Sequence, residues 1–229
     1  ILLKLVKIDN KKNRIELYGD GIGSVEYVEH MGSDLTIVNS ARVSFGKHKE
    51  EIDEKDKKLI RYLVEHRHTS TFEHNVVTFR FVVPLFIRSQ HHRHRTWAYN
   101  EISRRYTSVN IDFYEPDNFR TQHKSNRQAS TDNLIDPLLE SNRDGSPTLA
   151  SASAQIKSHH KESLRLFEAL LDSGVCREQA RMVLPQSMMT EWFWSGTLYA
   201  FARVCNLRCA KDTQEETRNL CELIATRCE

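Results

Sequence analysis

An alternating segment from His74 to Val83 constrains the fold of this chain more than any other stretch. One side of this segment consists of Val77, Phe79, Phe81 and Val83, and the other of Val76, Thr78, Arg80 and Val82. Because successive strand residues point to opposite faces of a sheet, the pattern predicts a strand with one face on the core. Pro84 then stands where a helix can begin, so we expect a helix over Leu85–His92.

The segments on either side predict strands early in the chain and helices late. Gly19-Asp20-Gly21-Ile22-Gly23 has a glycine spacing that resembles a dinucleotide-binding loop. Such a loop must open a helix, whereas strand period follows here, so we interpret the segment as a hairpin turn. Ile1–Lys7 is interpreted as a strand and not as a signal peptide. The predicted helices are one capped by Asp34, Glu54–His66, a long one ended by Gly174, Arg177–Leu184, Ser187–Val204 and Thr213–Arg227.

We therefore assign the chain to the α+β class. We expect a single domain over residues 1–229, with an antiparallel or mixed sheet early and a helical C-terminal half. The stretch at about 115–153 is polar and rich in Ser, Asn, Asp and Gln, and it predicts a surface excursion with a short helix over Leu134–Leu139. Trp192, Phe193 and Trp194 fall within a predicted helix and are interpreted as packing residues.

Charge and cysteine content narrow the function classes. The formal charge is +2, from 33 basic and 31 acidic residues, which argues against a general nucleic-acid coat and makes any anion site local. No apolar run reaches the roughly 18–20 residues of a membrane span. The five cysteines are odd in number and lie late in the chain, which is typical of reduced thiols in a cytoplasmic protein. Cys205 and Cys209 lack the partners that a metal site needs.

The segment Arg93–Arg105 concentrates four arginines with an imidazole, a carboxamide, a carboxylate and a hydroxyl. These groups are costly to bury unpaired, so no core pattern explains them. Arginine suits bidentate binding of phosphate, and the segment therefore predicts a site for a planar or phosphorylated anion. In an extended backbone, Arg93 and Arg95 would project to one side and His94 to the other.

The same segment carries a recognisable signature. Arg93-His94-Arg95 is followed by Asn100-Glu101, Ser103 and Arg105, a pattern that resembles the signature of the flavin-dependent thymidylate synthases. The similarity extends, in the family's order, to Ala41–Ser44, His68–His74, Arg177–Pro185 and Asn206–Arg208. The resemblance implies a homotetramer with shared active sites that converts dUMP to dTMP. It also implies FAD as cofactor, with methylenetetrahydrofolate and NADPH as co-substrates.

The resemblance further implies roles for individual residues. Those placed near the flavin are Ser44, His68, Ser70, Arg93, His94 and Arg95. Those placed in the dUMP pocket are Gln90, Arg93, Ser103, Arg104, Arg105 and Arg181. Glu101 would lie where both ligands meet, and Arg208 would favour the ionised N3 of the uracil ring. The chain departs from the family pattern at Ala98, Thr197, Tyr199 and Arg203, so the resemblance assigns no flavin contact to the last three.

Three other functions agree less well with the sequence. A synthase with a cysteine nucleophile would need a Pro-Cys-His context, and Cys176 is followed by Arg177 instead. A metal-dependent hydrolase could use His91, His92 and His94, but these lack the spacing of a helical zinc pair, so no metal is expected. A nucleic-acid-binding module could combine the arginines with neighbouring aromatic residues, although the near-neutral charge disfavours it. Neither nucleic acid nor a membrane is expected as a partner.

Overall fold

A computed structural model describes residues 13–141 and 148–227. The predicted strand Ile1–Lys7 lies outside the described residues. The strands are β1 (Arg14–Glu16), β2 (Ser24–Met31), β3 (Val76–Pro84), β4 (Ala98–Glu101), β5 (Phe119–Gln122), β6 (Ser130–Ile135), β7 (Leu138–Ser141), β8 (Thr148–Ser151) and β9 (Met189–Thr197). The α-helices are α1 (Asp34–Arg42), α2 (Glu54–Glu65), α3 (Leu85–His91), α4 (Ala152–Asp172), α5 (Arg177–Ala180), α6 (Leu198–Arg208) and α7 (Glu215–Arg227).

The main sheet is antiparallel and confirms the predicted α+β class. Its strands lie in the order β1-β2-β3-β9-β4. The predicted hairpin turn joins β1 to β2, and Asp20 Oδ1 accepts hydrogen bonds from Ile22 N at 2.9 Å and Gly23 N at 2.7 Å. Gly19 and Gly21 have φ of 66° and 71°, a conformation that glycine adopts without a steric penalty. The turn therefore serves chain reversal and opens no helix.

β3 matches its prediction, with Phe79 and Phe81 fully buried. For the neighbouring strand β9 the prediction was wrong. The helix predicted over Ser187–Val204 is a strand until Thr197 and a helix only afterwards. Trp192 and Trp194 are buried while Phe193 is 43% exposed, which is period two and not helical period. The predicted packing role of the two tryptophans is confirmed, on a strand.

An aromatic core fills the space between the sheet and the helices that cover it. Trp192 stacks on Phe81 with ring centroids 5.2 Å apart, and Phe201 of α6 meets Phe79 edge to face at 5.1 Å. Aromatic pairs of this kind add to the free energy of burial. The core is completed by Val25, Val77, Val83, Ile87, Trp194, Val204, Leu220 and Ile224.

Most of the predicted helices are confirmed, with changes at their ends. α1 is capped by Ser33 and not by Asp34, because Ser33 has the extended backbone of a cap and its N–H donates to Thr36 Oγ1 at 3.1 Å. α4 ends at Asp172, and Gly174 two residues later has φ of 87°, the glycine predicted to terminate this helix. The helix predicted over Arg177–Leu184 is α5 followed by a 3₁₀ turn over Arg181–Val183.

The polar stretch at about 115–153 contains two small hairpins, β5–β6 and β7–β8. The short helix predicted over Leu134–Leu139 is therefore wrong. Ile135 pairs with Phe119 across the first hairpin, and Arg120 of β5 donates two hydrogen bonds of 2.8 Å to the Glu216 carboxylate on α7. Cross-strand pairing and this buried contact outweigh the local helical preference of the leucines.

Candidate functional site

The arginine-rich segment bends between two elements of the fold. After α3 ends, Arg93 N donates to Gln90 O and His94 N to His91 O, which continues the turn of the helix. Tyr99 Oη then donates to His94 O at 2.6 Å, and the chain enters β4 at the edge of the sheet. The segment is therefore not extended at Arg93–Arg95, and all three side chains line one cavity.

That cavity, which we call the α6 cavity, has a volume of about 640 Å³. One wall is the turn Arg93–Trp97 and the other is one face of α6. Three arginines, Arg93, Arg95 and Arg203, are among the residues that line it. Arginine binds phosphate through paired N–H donors, so the cavity is suited to a phosphorylated ligand.

A second cavity of about 710 Å³ lies at the C-terminal end of β4, and we call it the Arg181 cavity. The remainder of the arginine-rich segment lines it, together with α3, the Arg177–Val183 region and the start of β9. Its lining includes Arg88, Glu101, Ser103, Arg104, Glu178, Arg181, Gln186, Met188 and Thr190. One continuous segment of the chain thus contributes to two polar cavities.

Arg208 contacts the α6 cavity through His94. Arg208 Nε donates to His94 Nε2 at 3.0 Å, so the imidazole accepts at this nitrogen and is neutral there. Partial burial lowers the pKa of His94, and the nearby Arg208 and Arg203 lower it further. The residue predicted to act on the pyrimidine and a residue predicted to hold the flavin therefore form one hydrogen-bonded pair.

Glu101 is fixed at the edge of the Arg181 cavity by two donors. Arg88 Nε donates to its Oε1 at 3.0 Å and Thr190 Oγ1 donates to the same atom at 2.7 Å. Sequence reasoning missed both partners. Arg88 lies in the helix just before the arginine-rich segment, which was a usable signal, whereas Thr190 was hidden by the wrong helix assignment.

The remaining residues predicted for the nucleotide differ in accessibility. Ser103 and Arg181 line the Arg181 cavity, and Arg105 is half-exposed beside Glu178 at 3.9 Å. Arg104 is buried and donates to Val109 O at 2.7 Å and Asn110 O at 2.9 Å. Gln90 accepts from Thr217 Oγ1 on α7 at 3.0 Å, and its Nε2 donates to Gln214 Oε1, just before that helix. The side chains of Arg104 and Gln90 are thus engaged within the protein, and their contact with a nucleotide stays a prediction.

Ser44, His68 and Ser70 are exposed; Ser44 lies in the 3₁₀ turn over Val43–Phe45 that follows α1, and Ser70 in the 3₁₀ turn over Thr69–Phe72. They are not in the α6 cavity, and Ser44 Oγ donates to Ala41 O, near the end of α1, at 2.9 Å. A cavity of about 380 Å³ has a lining that includes Arg67 and Thr69, the neighbours of His68 and Ser70. Arg203 and Asn206 of α6 line both this cavity and the α6 cavity.

His91, His92 and His94 do not gather as metal ligands in the part of the chain that the structure describes. His91 is buried among Phe81, Trp192 and Trp194, and burial lowers its pKa to about 3. Within residues 13–141 and 148–227, no group of three His, Cys, Asp or Glu residues is placed to hold a metal ion. In the same ranges, no helix is both long and apolar enough to cross a membrane.

An antiparallel α+β fold with arginine-lined cavities at the two ends of its edge strand is suited to binding phosphorylated small molecules. The chain belongs to the thymidylate synthase complementing protein family, whose match spans residues 26–229.

Named relatives agree with this family. The chain is 41% identical over 203 residues to the flavin-dependent thymidylate synthase of Thermus thermophilus, covering 89% of this chain and 70% of that protein. It is 35% identical over 210 residues to the enzyme of the same name from Thermosipho africanus, covering 90% and 87%. The crystal structure of the UMP/dUMP methylase PolB from Streptomyces cacaoi, bound with 5-Br dUMP, matches with a TM-score of 0.73 and 31% identity, over 93% and 91% of the two chains.

Proposed function

We propose that this protein is a flavin-dependent thymidylate synthase that methylates dUMP to dTMP. Methylenetetrahydrofolate would supply the one-carbon unit, and NADPH would supply reducing equivalents through FAD. The observation that carries the proposal is the division of Arg93–Arg105 between two polar cavities, because the reaction needs a nucleotide and a second phosphorylated ligand side by side. Its relatives, named as flavin-dependent thymidylate synthases, support it.

The Arg181 cavity is the proposed dUMP site. A nucleotide monophosphate needs convergent cationic and hydroxyl donors, and Arg181 and Ser103 line this cavity with Arg105 near its rim. Arg88 adds a further guanidinium, of which only Nε is engaged by Glu101 in the described contacts. PolB, which was crystallised with a brominated dUMP, supports this class of substrate.

The α6 cavity is the proposed site for part of the FAD. The flavin pyrophosphate is an anion, and the donor set of Arg93, Arg95 and Arg203 fits that charge. When bound, the flavin supplies hydride transfer, which no amino-acid side chain can perform. The protein's part is to orient both ligands and, with active sites shared between subunits as proposed below, to place the Arg208 cation of one subunit beside the pyrimidine bound by another, where negative charge develops.

We also propose that the enzyme is a homotetramer with active sites shared between subunits. Large apolar side chains stand exposed next to predicted site residues, including Phe45 beside Ser44, Tyr106 beside Arg105 and Met182 beside Arg181. Phe45 and Tyr106 are each 79% exposed. We propose that these exposed apolar side chains beside site residues contact a neighbouring subunit. A cytoplasmic location stays a prediction from the cysteine pattern.

An NADPH oxidation assay tests the proposed function. Purified protein with added FAD and methylenetetrahydrofolate should oxidise NADPH faster when dUMP is present than when it is absent. UMP in place of dUMP measures the selectivity for the sugar. NADPH oxidation that is indifferent to dUMP would contradict the proposed substrate.

Replacing Arg95 with alanine should weaken retention of the flavin. A hydrogen bond to a charged group contributes about 1.5–3 kcal/mol, so the Kd for FAD should rise about 10- to 100-fold. His94→Ala should act in the same direction, because it removes part of the wall of the α6 cavity. The visible absorbance of the purified protein and an FAD titration measure both. Arg165→Ala, on the exposed face of α4 and paired with Glu162, is the matched control and should retain FAD fully.

Replacing Cys176 with alanine should leave activity within about twofold, because surface substitutions rarely cost more than ~0.5 kcal/mol. Cys176 is exposed and its Sγ lies 3.6 Å from Gln179 Oε1. Burial raises the pKa of the Cys221 and Cys209 thiols and so disfavours the thiolate that a nucleophile requires. Turnover of Cys176→Ala under saturating substrates checks the prediction. Loss of turnover with flavin still bound would mean that a cysteine nucleophile takes part.

A further inference from the structure

The turn Pro185–Met188 separates the Arg181 cavity from another cavity behind it. Met188 N donates to Pro185 O at 2.9 Å and closes the turn. Gln186 and Met188 line the Arg181 cavity, whereas Pro185 and Ser187 line the other cavity, of about 450 Å³, which we call the His160 cavity. Because alternate residues of one turn face the two cavities, a displacement of the turn changes both.

His160 ties this turn to a distant part of the chain. Its Nε2 is 2.6 Å from Ser187 Oγ, and its Nδ1 is 2.7 Å from Glu115 Oε1. The carboxylate can only accept, so Nδ1–H donates to Glu115, and in the neutral ring Nε2 then accepts from the Ser187 hydroxyl. The ring is 3% exposed and stacks on Phe113 at 4.5 Å. In such a dry position a broken hydrogen bond leaves a buried polar group unsatisfied.

Backbone hydrogen bonds link the Pro185–Met188 turn to elements that form the Arg181 cavity. Tyr114 N donates to Ser187 O at 2.9 Å, and Leu85 N donates to Met188 O at 3.0 Å. β9 begins at the next residue, and Thr190 on this strand donates to Glu101 Oε1. The turn therefore fixes both a wall of the Arg181 cavity and a donor that holds its carboxylate.

We propose that His160 is a positioning residue for the nucleotide: through Ser187 it holds the Pro185–Met188 turn in the conformation that shapes the Arg181 cavity. Glu115 fixes the tautomer that lets His160 accept from Ser187. The inference rests on the proposed function, in that dUMP is taken to bind in the Arg181 cavity. Neither His160 nor Ser187 lines that cavity.

The test compares dUMP and FAD binding in single and double variants. His160→Phe keeps a ring against Phe113 and loses both hydrogen bonds, and Ser187→Ala removes only the hydroxyl. Each should raise the Kd for dUMP about tenfold, the size expected from one lost buried hydrogen bond, and leave the Kd for FAD unchanged. The double variant should be no worse than either single one, because partners in one contact are not additive. His159→Phe, in the same cavity but outside this contact, is the matched control.

Hydrogen exchange at the Leu85 and Tyr114 amides, which donate to the turn, should become faster in His160→Phe but not in His159→Phe. Ser187→Thr keeps the hydroxyl that Ser187→Ala removes, so its Kd for dUMP should be close to that of the wild-type protein. This comparison tests the inference even if His160→Phe fails to fold. Wild-type binding of dUMP with unchanged Kd in both single variants would overturn the inference and leave the proposed function standing. Additive effects in the double variant would also overturn it. Failure of the wild-type protein to bind dUMP would overturn both.

Discussion

Arg208→Ala should reduce dTMP formation by about 10²- to 10³-fold, the range measured when one preorganised donor to a developing charge is removed. Arg208 is held by its Nε contact to His94, 3.0 Å away, and among the described contacts its other N–H groups make no hydrogen bond. The guanidinium is always protonated, so it can stabilise an ionised pyrimidine at any working pH. The kcat of the variant with saturating dUMP and FAD is the quantity to measure.

Two controls make this result specific. FAD retention in Arg208→Ala should remain close to that of the wild-type protein, since the guanidinium groups of Arg93, Arg95 and Arg203 stay in the α6 cavity. Arg208→Lys keeps a positive charge but lacks the planar fork, so its kcat should fall between those of the two proteins. Full activity in Arg208→Ala would refute the assigned role.

Trp194→Ala should lower the free energy of unfolding by about 3–5 kcal/mol, as expected when a large buried aromatic side chain leaves a cavity. Trp194 is fully buried, with ring centroids 4.1 Å from Trp97 and 5.4 Å from Phe201. Because Trp97 belongs to the arginine-rich segment, the loss should also loosen the wall of the α6 cavity. Denaturant unfolding followed by tryptophan fluorescence or circular dichroism measures the effect.

The adjacent residue provides the matched control. Phe193 is 43% exposed on the opposite face of β9, so Phe193→Ala should cost roughly 1 kcal/mol, in line with an average substitution. A large difference between neighbouring positions is a property of a strand, because successive side chains face opposite sides of the sheet. Similar costs at both positions would contradict the strand assignment of Met189–Thr197.

Strong local periodicity made β3 and the long helix α4 predictable. At Met189–Thr197 the sequence was wrongly assigned a helical period. Three consecutive aromatic residues do not show which of them are buried, and this is decided only when the strand pairs with β3 at Phe79 and Phe81. Tertiary pairing also decided Ser130–Ser141, where hairpins form in place of the expected short helix. In both places contacts distant in sequence outweighed local preference.

The residue types of the candidate site were predictable from the sequence, but the hydrogen-bond partners of these residues were less so. Arg93, His94 and Arg95 do line one cavity. They do so because the chain turns there, which the sequence pattern did not predict. The hydrogen bonds of Glu101 to Arg88 and Thr190, and of His94 to Arg208, join residues from separate elements. A single sequence contains no information on such pairs until the sheet and helices are placed.

Formation of dTMP from dUMP tests the central claim most directly. The protein would be incubated with dUMP, FAD, NADPH and methylenetetrahydrofolate labelled in its one-carbon unit, and the nucleotides would be analysed by mass spectrometry. The account predicts labelled dTMP in the complete mixture, none without the reductant and at most a trace from Arg208→Ala. Recovery of unchanged dUMP from the complete mixture, with FAD bound to a folded protein, would contradict it.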